Sequence, residues 1–490
     1  MKGSRVVRGT LLAAIMVGLT THPVDAQGPS GLAAVAAIED AVVDAIARAE
    51  RSVVAIARVR KSPAGEVFGL EFRPDPFDRP AMPAIEPKPT DPDFIPNEFA
   101  TGVVVDPRGL ILTAYHVLGE DSDYYVTTHE RKVYRAWVKG ADPRSDLAVL
   151  AVDASDLEPI RFASADKLRK GQIVLALGNP HAIARDGQAS ASWGIVANLT
   201  RKAPPSMEDS ELSRKSTLHH FGTLIQTDAK LNLGTSGGAL VNLRGEMVGL
   251  TTALAATAGY EQSAGYAYPV DDTFRRVVEA LKQGREVEYG YLGIQPGNLS
   301  SQEVLAGLSG TRVYAVLPGT PAAKYGLQVG DLITSVDGRP VYDADSLVLS
   351  VGRLPVESVV RMGVLRGGRS VELKVTLSKY PVRGKKIVTT PAPDWRGLRV
   401  DYLTAVLDPA GRSMYELPSL DAAVAVTDVE EGSPAWEAGL RARDLIRRVE
   451  ERPVSTPREF HAAVVGKTGA VRLSVSDLQG AGTTRTVPES

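Results

Sequence analysis

The sequence predicts a mainly β protein: a β-rich unit followed by two copies of a small α+β domain. Two observations carry this. Residues 99–270 hold short β-rich runs (TGVVVD, LILTA, DLAVLAV, IVLALG, MVGLTT) broken by turn residues, a spacing that suits a barrel or sandwich. Downstream, PGTPAAKYGLQVGDLITSVDGRPV, starting at Pro318, returns as EGSPAWEAGLRARDLIRRVEERPV, starting at Glu431. Pro321 matches Pro434, Gly326 matches Gly439, Asp331 matches Asp444 and Pro340 matches Pro453, each pair 113 residues apart. A period of that size means a duplicated domain, not a solenoid.

The elements follow in order. Lys2, Arg5 and Arg8 precede an apolar run at 11–19, and Val24, Asp25 and Ala26 resemble a small-residue cleavage site. This reads as an export signal over 1–26, with Gln27 the first mature residue; the run is too short to span a bilayer. Residues 31–50 place Leu32, Val35, Ile38, Val42 and Ile46 at helical spacing, and 52–59 read as a strand. Nine prolines from Pro63 to Pro96 forbid a regular helix or central strand and leave a long surface loop. That N-terminal part, 27–98, joins the β runs of 99–283, whose last residues, 271–283, have helical periodicity and close the domain. The first repeat occupies 288–380, a proline- and lysine-bearing linker 381–394, and the second repeat 395–490.

Composition narrows the chemistry. The 490 residues are 43% hydrophobic and 23% charged, with a formal net charge of −2, so there is no concentrated basic face for nucleic acid. With no cysteine there are no disulfides and no thiol nucleophile. No Cys/His cluster and no phosphate-cradling glycine loop occurs, and neither metal nor cofactor is expected.

The stretch NLGTSGGALVN, residues 232–242, sets Ser236 among glycines ahead of a short apolar run. A serine hydroxyl is a weak nucleophile until a base takes its proton and an acid orients that base. Only seven histidines occur. His116 ends an apolar strand in GLILTAYHV, and Asp146 opens another in PRSDLAVL. The order His116, Asp146, Ser236 is that of chymotrypsin-like enzymes; the α/β-hydrolase order would need a histidine after the serine, and only His461 follows. In this arrangement the N–H groups of Gly234 and Ser236 would face a developing oxyanion. His181, His219 and His220 compete for the role of base.

TAYHV, SDLAVL, IQTDAKLNLGTSGGALVN and GYAYPVD together resemble the HtrA (Deg) family of trypsin-fold proteases that carry PDZ domains. The resemblance spans most of the mature chain. It implies a double β-barrel followed by two PDZ-like domains, and ATP-independent, periplasmic cleavage of unfolded or damaged envelope proteins. It also implies capture of C-terminal peptides and assembly into a homotrimer or a larger homo-oligomer. Two positions depart from the family: Thr235 stands where Asn is usual, and Lys230 where Ala is common, near the expected specificity pocket. Either Lys230 enters that pocket and favours acidic side chains, or alternation turns it out and Leu231 favours small aliphatic ones. A non-proteolytic holdase on the same fold and an esterase are the rival readings.

In a PDZ domain a peptide adds a strand to a sheet edge, and a loop of N–H groups receives its terminal carboxylate. Tyr291, Leu292, Gly293 and Ile294 are similar to that loop in the first copy. In the second copy Gly397, Leu398, Arg399 and Val400 are the expected counterpart, with Arg399 in the glycine position, which predicts weaker carboxylate capture there.

Overall fold

The computed structural model describes residues 31–61, 98–179, 187–203, 217–252, 265–406, 423–477 and 480–489. The export signal, the segment 63–96 and His181 lie outside the described residues.

Helix α1 (Gly31–Ala49) leads into β1 (Val53–Arg60), followed by β2 (Glu98–Asp106), β3 (Leu110–Ala114), β4 (Ser122–Thr127), β5 (Val133–Asp142) and β6 (Leu147–Val152). These six strands pair in the order β5-β4-β1-β2-β3-β6, and β6 pairs back onto β5, closing a barrel. A second closed barrel joins β7 (Ile173–Gly178), β8 (Ser190–Arg201), β9 (Leu224–Thr227), β10 (Ala239–Val241), β11 (Met247–Thr252) and β12 (Gly265–Pro269) in the order β10-β11-β12-β9-β8-β7.

The continuous apolar runs have a simple cause: these strands are covered on both faces. In β3, Ile111 points into the first barrel while Leu112 joins the core between barrels. In β10, Leu240 fills the second barrel while Ala239 and Val241 turn to the shared core. Helix α2 (Asp272–Lys282) caps this shared core. Its N-cap Asp271 accepts a 2.8 Å hydrogen bond from Phe274 N–H, and Phe274, Val277, Val278 and Leu281 bury one stripe.

Each repeat forms a five-stranded antiparallel path with one further short strand at its side. The first path runs through Ile294–Gly297, Thr311–Val316, Leu332–Val336, Val359–Arg366 and Arg369–Thr376, with helix Ala344–Gly352 against it. The second runs through Leu398–Tyr402, Val424–Val429, Leu445–Val449, Val471–Ser476 and Gly482–Val487, with helix Pro457–Val464.

Strand register corrects the expected counterpart of the glycine loop. Ile294 pairs with Val316, and it is Leu398 that pairs with Val429, the repeat partner of Val316. The counterpart of Gly293 is therefore Gly397, not Arg399. Both glycines have positive φ, 85° and 76°, and a Cβ on either would overlap the side chain of the matching residue, Thr320 or Ser433. Arg399 instead lies on the strand and pairs with Asp428 at 2.7 Å. The gap-free spacing begins only after the connection that follows this strand, and that connection is longer in the second copy, so counting from downstream misplaces the loop. The loss of the loop glycine, and the weaker capture argued from it, do not hold.

The segment 381–394 is also more than a spacer. Ile387 and Val388 pair with Ala141 and Gly140 of β5, adding a seventh strand to the first barrel's sheet. Tyr115 OH donates to Lys385 O at 3.0 Å, and Thr389 Oγ1 donates to Lys139 O at 2.7 Å.

Candidate active site

The β-barrels meet where β3 ends, where β5 turns into β6, and where the loop before β10 crosses between them. His116 follows β3 in a short 3₁₀ turn, Asp146 immediately precedes β6, and Ser236 sits in the glycine-rich loop. The structure brings the three together. His116 Nδ1 donates to Asp146 Oδ2 at 2.7 Å, and its Nε2 stands 3.1 Å from Ser236 Oγ. Asp146 is held at φ 54°, and its Oδ1 also accepts the His116 backbone N–H at 2.9 Å.

Burial raises the Asp146 carboxyl, but attraction to His116 and hydrogen bonds from His116 and Tyr268 hold it below its ordinary value. Burial lowers the His116 imidazole, but the Asp146 carboxylate and its hydrogen bond outweigh this and hold it above 6.5. An imidazole fixed by a carboxylate on one nitrogen can accept a hydroxyl proton on the other.

Of the competing histidines, the two among the described residues are engaged elsewhere. His219 is buried, with Nδ1 on Thr223 Oγ1 at 2.6 Å and Nε2 on Ser145 O at 2.8 Å. Burial pushes it down to about 4, so it stays neutral. His220 Nδ1 meets Thr217 Oγ1 at 2.9 Å.

Sequence reasoning missed Tyr268. Its hydroxyl donates to Asp146 Oδ2, and its ring stacks on His219 with centroids 3.8 Å apart. The motif GYAYPVD contains it, but nothing in that pattern says that it reaches Asp146.

Thr101 of β2 ties the serine loop to the first barrel. Its N–H donates to Ser236 O at 3.0 Å, and its Oγ1 donates to Gly234 O at 2.7 Å. Gly234 has φ 90°, as open to glycine as it is unfavourable to other residues. Gly237, at φ 84°, packs so tightly that a Cβ would overlap the Thr101 carbonyl oxygen and the Thr113 hydroxyl. Gly237→Ala is expected to cost about 1–2 kcal/mol in conformation and about 1–3 kcal/mol in overpacking. Thermal unfolding should show the protease-domain transition lowered on the order of 5–15 °C; an unchanged transition would contradict the packing described.

Lys230 is exposed, whereas Leu231 packs towards Gly265, where an added Cβ would lie 2.7 Å from its Cδ1. Tyr291, Leu292, Gly293 and Ile294 line a cleft together with Leu347 and Val351 of the helix Ala344–Gly352. Among the described residues no cluster of three His, Asp or Glu is placed to hold a metal.

Two closed barrels with a serine, a histidine and a buried carboxylate at their junction define a trypsin-like serine peptidase. Residues 100–250 match the family model for a trypsin-like peptidase domain, and 290–377 and 425–473 match PDZ domain models. The chain is 30% identical over 417 residues to the periplasmic pH-dependent serine endoprotease DegQ of Escherichia coli K12, covering 84% of this chain and 82% of that protein. It is 30% identical over 381 residues to the periplasmic serine endoprotease DegP of Salmonella typhimurium LT2, covering 76% and 73%. Among solved structures, the HtrA-type protease AlgW with a decapeptide matches with TM-score 0.51 and 26% identity, over 69% of this chain and 99% of that one. The chain belongs to the HtrA (Deg) family of serine endoproteases. It is a periplasmic serine endopeptidase with two PDZ domains.

Proposed function

We propose that Ser236 is the nucleophile, His116 the general base and Asp146 the residue that orients it, in an enzyme that degrades unfolded or damaged envelope proteins. The observation that carries this is His116 bridging Asp146 at 2.7 Å and Ser236 at 3.1 Å. Ser236 Oγ attacks the scissile carbonyl carbon while its proton passes to His116 Nε2. The carbonyl oxygen becomes negative in front of the N–H groups of Gly234 and Ser236, each donor worth about 3 kcal/mol in the transition state. The imidazolium then protonates the leaving amine. Water repeats the sequence on the acyl-enzyme, giving its proton to His116 and restoring Ser236 as the acid product leaves.

Leu231, packed towards β12, suits a pocket for small aliphatic side chains. The cleft at Tyr291, Leu292, Gly293 and Ile294 suits a C-terminal peptide added as a strand beside Ile294–Gly297. Casein digestion by the purified wild type and by Ser236→Ala tests the central reading. Binding of unfolded casein without any cleavage by the wild type would favour the holdase.

We also propose self-association, to a trimer or a larger assembly. Leu32, Val35, Ile38 and Val43 of α1 stand 80%, 61%, 49% and 58% exposed, an unusual apolar display for the outside of a lone chain. Sedimentation of the mature protein at micromolar concentration is expected to give a species at least three times the chain mass. A monomer would refute this.

A further inference from the structure

The peptidase domain sends one side chain into the cleft of the first PDZ domain. Arg144 lies in the turn between β5 and β6, two residues before Asp146. Its guanidinium lines the same cleft as Gly293, Ile294, Leu347, Val351 and Tyr380. The residue is only 2% exposed, and its Nε has no hydrogen-bond partner. Its guanidinium carbon is 3.5 Å from the Tyr380 ring centroid and 5.6 Å from that of Tyr289, and Asp142 attracts it without forming an ion pair.

An arginine cannot shed its charge, and burying one without an anion is costly. Stacking on tyrosine offsets only part of that cost. The nearest acid in sequence is Asp142. Its Oδ2 accepts from Ser145 N–H at 2.8 Å, from Ser145 Oγ–H at 2.6 Å and from Tyr289 OH. It makes no ion pair with Arg144 and does not line the cleft. No carboxylate is among the described residues that do.

We propose that Arg144 reads the terminal carboxylate of a peptide bound in the first PDZ cleft, adding a charged fork from the peptidase domain to the backbone N–H groups of the loop at Gly293. This rests on the reading of that cleft as a peptide site made above. A guanidinium presents paired donors that match a carboxylate in plane. The carboxylate supplies the anion that the cleft lacks, and the bound chain end then sits on the turn that carries Asp146. That turn is tied to the active site by a second route: Ser145 O accepts from His219, which stacks on Tyr268, which donates to Asp146.

The test uses the full chain carrying Ser236→Ala, so that the probe survives, and a ten-residue peptide ending in valine, as free acid and as amide. Calorimetry is expected to show the acid binding at least tenfold more tightly than the amide. Adding Arg144→Gln should weaken the acid about tenfold and leave the amide unchanged, bringing their ratio to about one. Arg144→Lys, which keeps the charge but loses the fork, should recover part of the preference. An unchanged ratio in Arg144→Gln overturns the proposal and leaves Arg144 as a structural partner of Tyr380 or Asp142. Equal binding of acid and amide by the parent also overturns it while sparing the cleft as a peptide site; binding of neither removes both. Should Arg144→Gln not fold, a crystal structure of the parent with the acid decides. The carboxylate is expected within hydrogen-bonding distance of Arg144, and a separation above about 4 Å refutes the assignment.

Discussion

Replacing Ser236 by alanine is expected to lower kcat/KM for casein or a short reporter peptide on the order of 10^5- to 10^6-fold, with the fold intact. The loss follows from chemistry: among the described residues no other hydroxyl is placed 3.1 Å from His116 Nε2. The fold should survive because Ser236 is anchored through its backbone. Its carbonyl accepts the Thr101 N–H, which alanine preserves, and the His116 imidazole that loses the Oγ contact is a third exposed and can turn to water. The unfolding temperature should stay within about 2 °C of wild type. A folded variant that still digests casein would show that another residue attacks.

Asp146→Asn carries the second large effect, a fall in kcat of about 10^4-fold. The amide is nearly isosteric, but Oδ2 takes both the His116 Nδ1 proton and the Tyr268 hydroxyl while Oδ1 takes the His116 backbone N–H, so an NH₂ at either place faces a donor. Placed at Oδ2, it cannot accept the His116 Nδ1 proton, and the ring loses the tautomer that keeps Nε2 free for Ser236. The pH profile adds a readout that simple misfolding would not give. The base must be neutral, and in the wild type His116 is held above 6.5, so activity should fall as pH drops through a value above 6.5. In Asp146→Asn the carboxylate no longer raises the imidazole while burial still lowers it. The acid limb should therefore move to lower pH even as the plateau collapses. Measuring kcat/KM from about pH 5 to 9 on both proteins checks this; an acid limb that stays put would mean that Asp146 does not set the protonation of His116.

Much of this arrangement was legible because short-range patterns carried it. Chain order and flanking strands point to His116, Asp146 and Ser236, and the repeat displays both C-terminal domains. What escaped depends on segments meeting in space. Tyr268 and Arg144 lie in stretches whose local pattern reads only as strand and turn, and their partners are far away in sequence. Ile387 and Val388, between lysines and threonines, are too few to show a strand period, so only their register on β5 reveals them. Gly397 was passed over for a different reason: an insertion in a loop changes the spacing without changing the fold, and alignment by counting cannot see it.

The strand that the segment 381–394 contributes to the first barrel helps fix where the last domain sits. As a free leash, that segment could reach roughly 50 Å at about 3.5 Å per residue. Pinned at Ile387, Val388 and Thr389, it leaves only the few residues before Trp395 to pay out, a radius of roughly 20 Å. A polypeptide held by the second PDZ domain would thus be kept at high effective concentration beside the first barrel. Leu403, Ala423, Ala425 and Leu445 of that domain also share a buried cluster with Leu317 of the first, and Lys379 donates to Asp401 at 2.6 Å. Lengthening the tether therefore takes undocking of the two PDZ domains as well as the peeling of two residues from β5.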